Sequence, residues 1–265
     1  MLSNKAAGVL AAFSFWLAGC ACGLPVGELK RLDQALERAG FEHRRLMSAD
    51  FPVHAWLRRG EGEALSVVIE GDGAAWFNPR WPPPDPTPEH SQTAALAAAL
   101  GGPVAYLARP CQFERAAACR MEHWTTARFA PELLESLDAA LEELKRAAGA
   151  KRLRLVGHSG GGVMAVLLSL RRSDVSAVAT FMAPLAVNEW TRMQGLSPLV
   201  GADPMRLPSL AVPSMHVAGG RDAVVPPAIV RAYAEAKGGK YVLWPEADHA
   251  CWPIERAREL IGSLP

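Results

Sequence analysis

No stretch of this sequence concentrates basic residues, and 28 Lys and Arg against 27 Asp and Glu leave a formal charge of +1. A phosphate-backbone partner needs a concentrated positive footprint, so the composition argues against nucleic-acid binding. No spacing among the five Cys and seven His resembles a zinc site, and neither a metal nor an organic cofactor is implied. No internal repeat is evident. Only three Tyr, beside abundant Ala and Arg and 21 Pro, read as the bias of a GC-rich bacterial genome. What is present is 265 residues, half of them apolar, which suits one globular domain with a sizeable core.

The organising stretch is Leu153–Met164. Leu153, Leu155 and Val156 form an apolar strand that ends in Gly157-His158-Ser159-Gly160-Gly161, and Val163 to Leu170 are helix-compatible. A strand, a sharp turn and a helix around Gly-x-Ser-x-Gly make a nucleophile elbow, which exposes the Ser159 Oγ. The glycines leave room for strand and helix to approach, and the Gly160 N–H, at the positive end of the helix, lies beside any oxyanion formed there. The plain alternative is an ordinary strand-to-helix turn.

Such an elbow requires an acid and then a histidine later in the chain. The strand Pro213–Gly219 ends in Gly219-Gly220-Arg221-Asp222, and the last strand, Tyr241–Trp244, is followed by a loop carrying His249. Ser159 is too weak a nucleophile unaided, so His249 is assigned as its base and Asp222 as the group that fixes the imidazole tautomer. Asp174 comes too soon after the elbow helix, and His216 lies inside a strand. Glu246 and Asp248 remain as alternative acids, and Asp222 has an alternative role as a cap for a helix starting near Pro226.

With these residues in place, the chain from about residue 50 to 262 resembles an α/β-hydrolase. A subgroup of bacterial lipoproteins is suggested by Glu70-Gly71-Asp72-Gly73 and Arg109-Pro110-Cys111-Gln112. The resemblance implies a mainly parallel sheet with helices on both faces, a small cap at most, and a serine mechanism; it implies no particular substrate. In this fold the turn after the third strand supplies the second oxyanion donor, here the Asp72 N–H, provided that the Asp72 carboxylate turns away or is paired.

The N-terminus reads as a signal peptide, residues 1–19. Lys5 precedes an apolar run, Ala6–Leu17, too short for a confident membrane span, and Leu17-Ala18-Gly19-Cys20 resembles the lipobox of bacterial lipoproteins. Cleavage before Cys20 would leave that cysteine to carry the lipid. Ala21 is not the Asp that retains such proteins at the inner membrane, so an envelope protein with an outer-membrane anchor facing the periplasm is favoured. An oxidising compartment permits disulfides. Four cysteines allow three pairings; Cys111 and Cys119 are close in sequence and flank a polar loop, so they are the expected pair, two free thiols being the alternative, while the pairing of Cys22 and Cys251 is left open, Cys251 otherwise reading as a buried small hydrophobe or, less simply, as a nucleophile beside His249.

Residues 20–40 are read as an anchor segment with a helix over 26–39 that either packs on the domain or acts as a spacer, and residues 41–265 as the hydrolase domain. Strands are expected at 42–48, 51–59, 65–69, 104–108 and 175–182, with helices at 93–100, 131–148 and 254–261. The proline-rich stretch 78–88 carries Trp81 and follows Trp76, and the two tryptophans either wall an acyl pocket or pack. Ala183–Val212 is the only stretch long enough to cap the site, with Trp190, Met193 and Leu196 as possible cleft residues; the alternative is a helix and loop of the core. The expected substrate is a small acyl ester. A serine peptidase would use the same triad with an acidic pocket, for which Glu70, Asp72 and Glu189 are the hints, and a hydrolase-fold lipoprotein without activity is the third reading.

Overall fold

The computed structural model describes residues 22–48, 50–75 and 82–265. Cys20 with its lipobox, Trp76 and Trp81 lie outside the described residues. Among those described, no helix is long and apolar enough to cross a membrane.

The chain runs β1 (Leu24–Pro25), α1 (Leu29–Arg38), β2 (Glu42–Ser48), β3 (Phe51–Arg58), β4 (Ala64–Ile69), β5 (His90–Ser91), α2 (Gln92–Ala99) and β6 (Val104–Leu107). It continues through α3 (Pro131–Ala148), β7 (Arg152–His158), α4 (Gly160–Ser169), β8 (Val175–Phe181), α5 (Val187–Met193), β9 (Ser214–Gly219), α6 (Pro227–Lys237), β10 (Lys240–Trp244) and α7 (Ile254–Gly262). Among the described residues, eight strands form one sheet in the order β10-β9-β8-β7-β4-β6-β3-β2, in which β3 alone runs against the others.

The central strands are apolar on both faces because helices cover both. Leu65, Val67 and Ile69 of β4 and Leu153 and Leu155 of β7 pack with α3 and α4, whereas Val68 and Val156 pack with α1, α2 and α7. The helix α3 starts on Pro131 and ends on Gly149 at φ 67°, and Leu133, Leu134, Leu137, Leu141 and Leu144 are all buried. Proline at the first position and a left-handed glycine after the last turn are the ordinary stop signals, and each buried leucine contributes ~1.5–3 kcal/mol.

From β4 the chain passes to β6 on one side and then returns through α3 to β7 on the other. The carboxyl ends of β4 and β7 therefore meet at a topological switch point, where open sheets of this kind leave a crevice. Pairing of Ile69 with Gly157 sets the turn after β4 beside the elbow, and pairing of Trp244 with Gly219 sets the loops after β9 and β10 side by side.

One boundary needs correction. Of the two readings of the segment 20–40, packing on the domain holds from Cys22 onward, so the domain begins there and not at residue 41. Cys22 is disulfide-bonded to Cys251, β1 pairs with β5, Leu32 and Leu36 are fully buried, and Asp33 accepts a hydrogen bond from Trp56 Nε1 at 2.7 Å. The helix has a strong apolar stripe, and the sheet face over Trp56 and Tyr106 needs a cover. The same bridge answers the pairing of Cys22 and Cys251 that the sequence leaves open, and Cys251 is neither a packed thiol nor a nucleophile. Cys111 and Cys119 are bonded to each other, S–S 2.04 Å.

Candidate active site

Ser159 sits between β7 and α4 at φ 51°, ψ −126°, a conformation that costs a non-glycine residue of order 1–3 kcal/mol. The surroundings hold it there: its N–H donates to Phe181 O at 2.9 Å, and a Cβ on Gly161 would lie 2.4 Å from the carbonyl oxygens of Ile69 and Glu70. The turn consequently lifts the Ser159 side chain off the end of the sheet.

His249 Nε2 lies 3.1 Å from Ser159 Oγ, and His249 Nδ1 lies 2.8 Å from Asp222 Oδ2. The Asp222 side chain is fully buried, and its Oδ1 accepts from the backbone N–H groups of Val224 and Val225, both at 2.8 Å. One oxygen orients the carboxylate and the other faces the imidazole. The two alternative acids are engaged elsewhere: Glu246 is ion-paired with Arg221 at the surface, and Asp248 Oδ1 accepts from Ala250 N and Cys251 N within its own loop. His216 is buried in β9 with Nδ1 at 2.9 Å from Thr180 Oγ1, and Asp174 pairs with Arg172 and Lys145.

Sequence reasoning passed over His158 as the variable residue of the elbow. Its Nε2 donates to the His249 carbonyl oxygen at 2.9 Å, and the two rings lie 4.9 Å apart. Burial, assisted by the neighbouring His249, pushes its pKa down to about 3 and keeps the ring neutral. A neutral donor thus holds the loop carrying His249.

On the other side of the elbow, Asp72 is buried between two guanidinium groups, Arg109 Nη1 at 3.0 Å and Arg128 Nη1 at 2.7 Å. Burial raises the Asp72 pKa, but the attraction of Arg128 and Arg109 outweighs it and holds the carboxyl below its ordinary value. The condition set by the sequence, a paired Asp72 carboxylate, is met. A Cβ on Gly160 would lie 1.9 Å from Asp72 Oδ1, so the residue after the serine has no room for a side chain. Glu70 anchors the turn from beneath: Oε1 accepts from Gly71 N at 2.8 Å, and Oε2 accepts from Thr93 Oγ1, Tyr106 OH and Ser91 Oγ. Gln112 Nε2 donates to Gly71 O at 3.0 Å. Among the described residues, the N–H groups of Asp72 and Gly160 have no protein acceptor.

A cavity of about 1030 Å³ is lined by Asp72, Ser159, His249, Trp190, Leu196 and Val224. Trp190 is buried and donates from Nε1 to Val224 O at 2.6 Å, while Met193, the third residue expected in the cleft, is exposed. The stretch 183–212 contributes α5 as a wall, its start capped by Asp203, whose carboxylate accepts from Val187 N and Asn188 N. No cluster of metal ligands occurs among the described residues.

No protein-family model matches the chain, and no curated protein matches it in sequence. Solved structures do match. An esterase of Pyrococcus furiosus superposes with a TM-score of 0.62 at 13% identity, covering 85% of this chain and 91% of its own. An alpha-beta serine hydrolase homologue from Coxiella burnetii gives 0.55 at 15% identity, covering 83% and 95%. The chain has the α/β-hydrolase fold. A puromycin-hydrolyzing peptidase of Mycobacterium tuberculosis also superposes, with a TM-score of 0.58 at 17% identity over 83% of this chain and 37% of that one. The same fold thus carries an esterase in one neighbour and a peptidase in another.

Proposed function

We propose that this protein is a serine hydrolase of the cell envelope, most simply a carboxylesterase. The observation that carries the reading is the unbroken chain of contacts from Ser159 Oγ through His249 to the buried Asp222 carboxylate. His249 Nε2 takes the serine proton as Oγ bonds to the substrate carbonyl carbon; the proton then goes to the departing alkoxide as the ester C–O bond breaks. Water, deprotonated by the same imidazole, releases the acid and restores Ser159. The Gly160 and Asp72 N–H groups are the donors to the oxyanion, and the paired state of Asp72 removes the repulsion that its carboxylate would otherwise exert.

The acidic groups of the cavity favour an ester over a peptide with a free ammonium. Glu70 is consumed by four hydrogen bonds, Asp72 by two arginines, and Glu189 by Arg192 at the surface. Asp85 and Glu89, exposed on the rim, are the carboxylates left for an aminopeptidase reading, which the Mycobacterium neighbour keeps in play. Lipidation at Cys20 and an outer-membrane position belong to the same proposal, supported by the lipobox and by two disulfides that suit an oxidising compartment.

Hydrolysis of p-nitrophenyl esters from acetate to decanoate tests the reading, with Ser159→Ala and Asp222→Asn alongside. Turnover should vanish in the first variant and fall by roughly 10³–10⁴ in the second. Full activity of Asp222→Asn would reassign the acid to Glu246 or Asp248, and ester turnover that survives in Ser159→Ala would end the serine mechanism.

A further inference from the structure

We infer that the catalytic cavity is held against the bilayer by the anchor itself, and that the substrates are uncharged or zwitterionic esters residing in that bilayer. The inference rests on the esterase and Cys20-lipidation readings above and specifies where their site faces.

The Cys22–Cys251 bridge carries it. Cys251 follows His249 by two residues, and Cys22, Gly27 and Ala250 line the same cavity as Ser159 and His249. Three restraints fix the chain there: the disulfide, with Cα atoms 5.2 Å apart; the pairing of Leu24 with Ser91 and Pro25 with His90; and hydrogen bonds from Val26 N and Gly27 N to Glu89 O at 2.8 and 3.2 Å. Cys20 is two residues from Cys22, so a fully extended chain separates the lipidated residue from the cavity rim by no more than ~7 Å. The polar layer on each side of a bilayer is about 5–8 Å thick. A rim this close to the lipid therefore sits at headgroup depth.

A free linker of the length read from sequence, 20 residues, would instead let the domain wander ~25 Å from its anchor. The disulfide thus turns a tether into a fixed mount. The same cavity is lined by Leu196 and the exposed Val224, and exposed Met193 precedes cavity-lining Gln194. An apolar rim of this kind loses little on meeting acyl chains. Asp85 and Glu89 on the same rim disfavour an anionic headgroup, which is why the fitting esters are uncharged or zwitterionic. The cavity volume is at the upper end for small-ligand sites, enough to admit an acyl chain drawn from the lipid layer.

The test uses the full chain, extracted from membranes and reconstituted in phosphatidylethanolamine–phosphatidylglycerol vesicles. Turnover of a vesicle-borne 4-methylumbelliferyl oleate is compared with that of 4-methylumbelliferyl acetate in solution. A second protein carries about twenty Gly and Ser residues inserted between Ala21 and Cys22, which lengthens the tether and leaves the disulfide and every folded residue unchanged. The expected result is an unchanged acetate rate and a loss of about tenfold in oleate turnover, because the cavity is no longer presented to the surface. Equal oleate rates for the two proteins would overturn the inference, as would intact mass showing no acyl group on Cys20. A protein active on acetate but indifferent to the insertion leaves the esterase reading standing, whereas loss of both activities in the unmodified chain removes that reading together with this one.

Discussion

At the scale of single residues, the site divides into what order along the chain reveals and what only the folded structure brings together. Ser159, Asp222 and His249 could be picked out because an elbow dictates the sequence order of its partners and because strand ends announce themselves in apolar runs broken by glycine. His158 and Arg128 could not, and Arg109 stood out only as part of a segment shared with a lipoprotein subgroup and without its partner, since their contacts join positions separated by 37 to 91 residues. In the proposed mechanism His158 is a positioning residue: it touches the His249 backbone and none of the atoms assigned to the reaction. His158→Leu should lower kcat about 10–100-fold with little change in KM, while His158→Gln, which retains a donor, should recover part of the loss. Equal kcat for the leucine and glutamine variants would leave the ring with a packing role only. Asp72→Asn should act mainly on stability. It strips the counter-charge from two buried guanidinium groups, a loss of the kind that costs ~3–5 kcal/mol, visible as a drop in the urea midpoint.

At the scale of elements, the strands and α3 were legible because their side chains repeat with a period of two or of 3.6 over enough residues. The β1–β5 pair was not, being two residues long on each side, and α5 was legible only as the alternative of a helix and loop within 183–212, without its bounds or its cap, Asp203, which comes sixteen residues after Val187. The role of α1 was legible only in part: its stripe was visible, but its partner face was not. The disulfides separate these cases energetically. In the loop-entropy picture, Cys111–Cys119 closes a short loop worth ~2–3 kcal/mol, whereas Cys22–Cys251 spans 229 residues and is worth about 5. Paired Cys→Ser variants compared by thermal melting should rank in that order. The reverse ranking would mean that β1 and α1 hold their places without the covalent link.

At the scale of the whole molecule, the fold buries imidazoles that it keeps uncharged, and this sets a pH dependence. His158 is pushed down to about 3 and His216 to about 4, in each case by burial first, and burial likewise lowers His54. In the unfolded chain these rings bind protons near pH 6.5, while in the folded protein they do not until much lower pH. Between those limits the unfolded state holds more protons, so stability is complete above about pH 6.5 and is lost progressively as the pH falls toward 4. Each such histidine contributes a slope of at most ~1.4 kcal/mol per pH unit within that window. Asp72 adds to the same trend below about pH 4, because its folded-state pKa is also lowered and protonation breaks its pairing with Arg109 and Arg128. The urea midpoint should therefore stay level from pH 8 to 7 and fall steadily from 6 to 4.5. His216→Gln lies away from the catalytic contacts and keeps a partner for Thr180, and it should flatten that slope by the share of one proton. A midpoint independent of pH down to 4.5 would mean that the buried rings accept protons without unfolding, and that water reaches them in the native state.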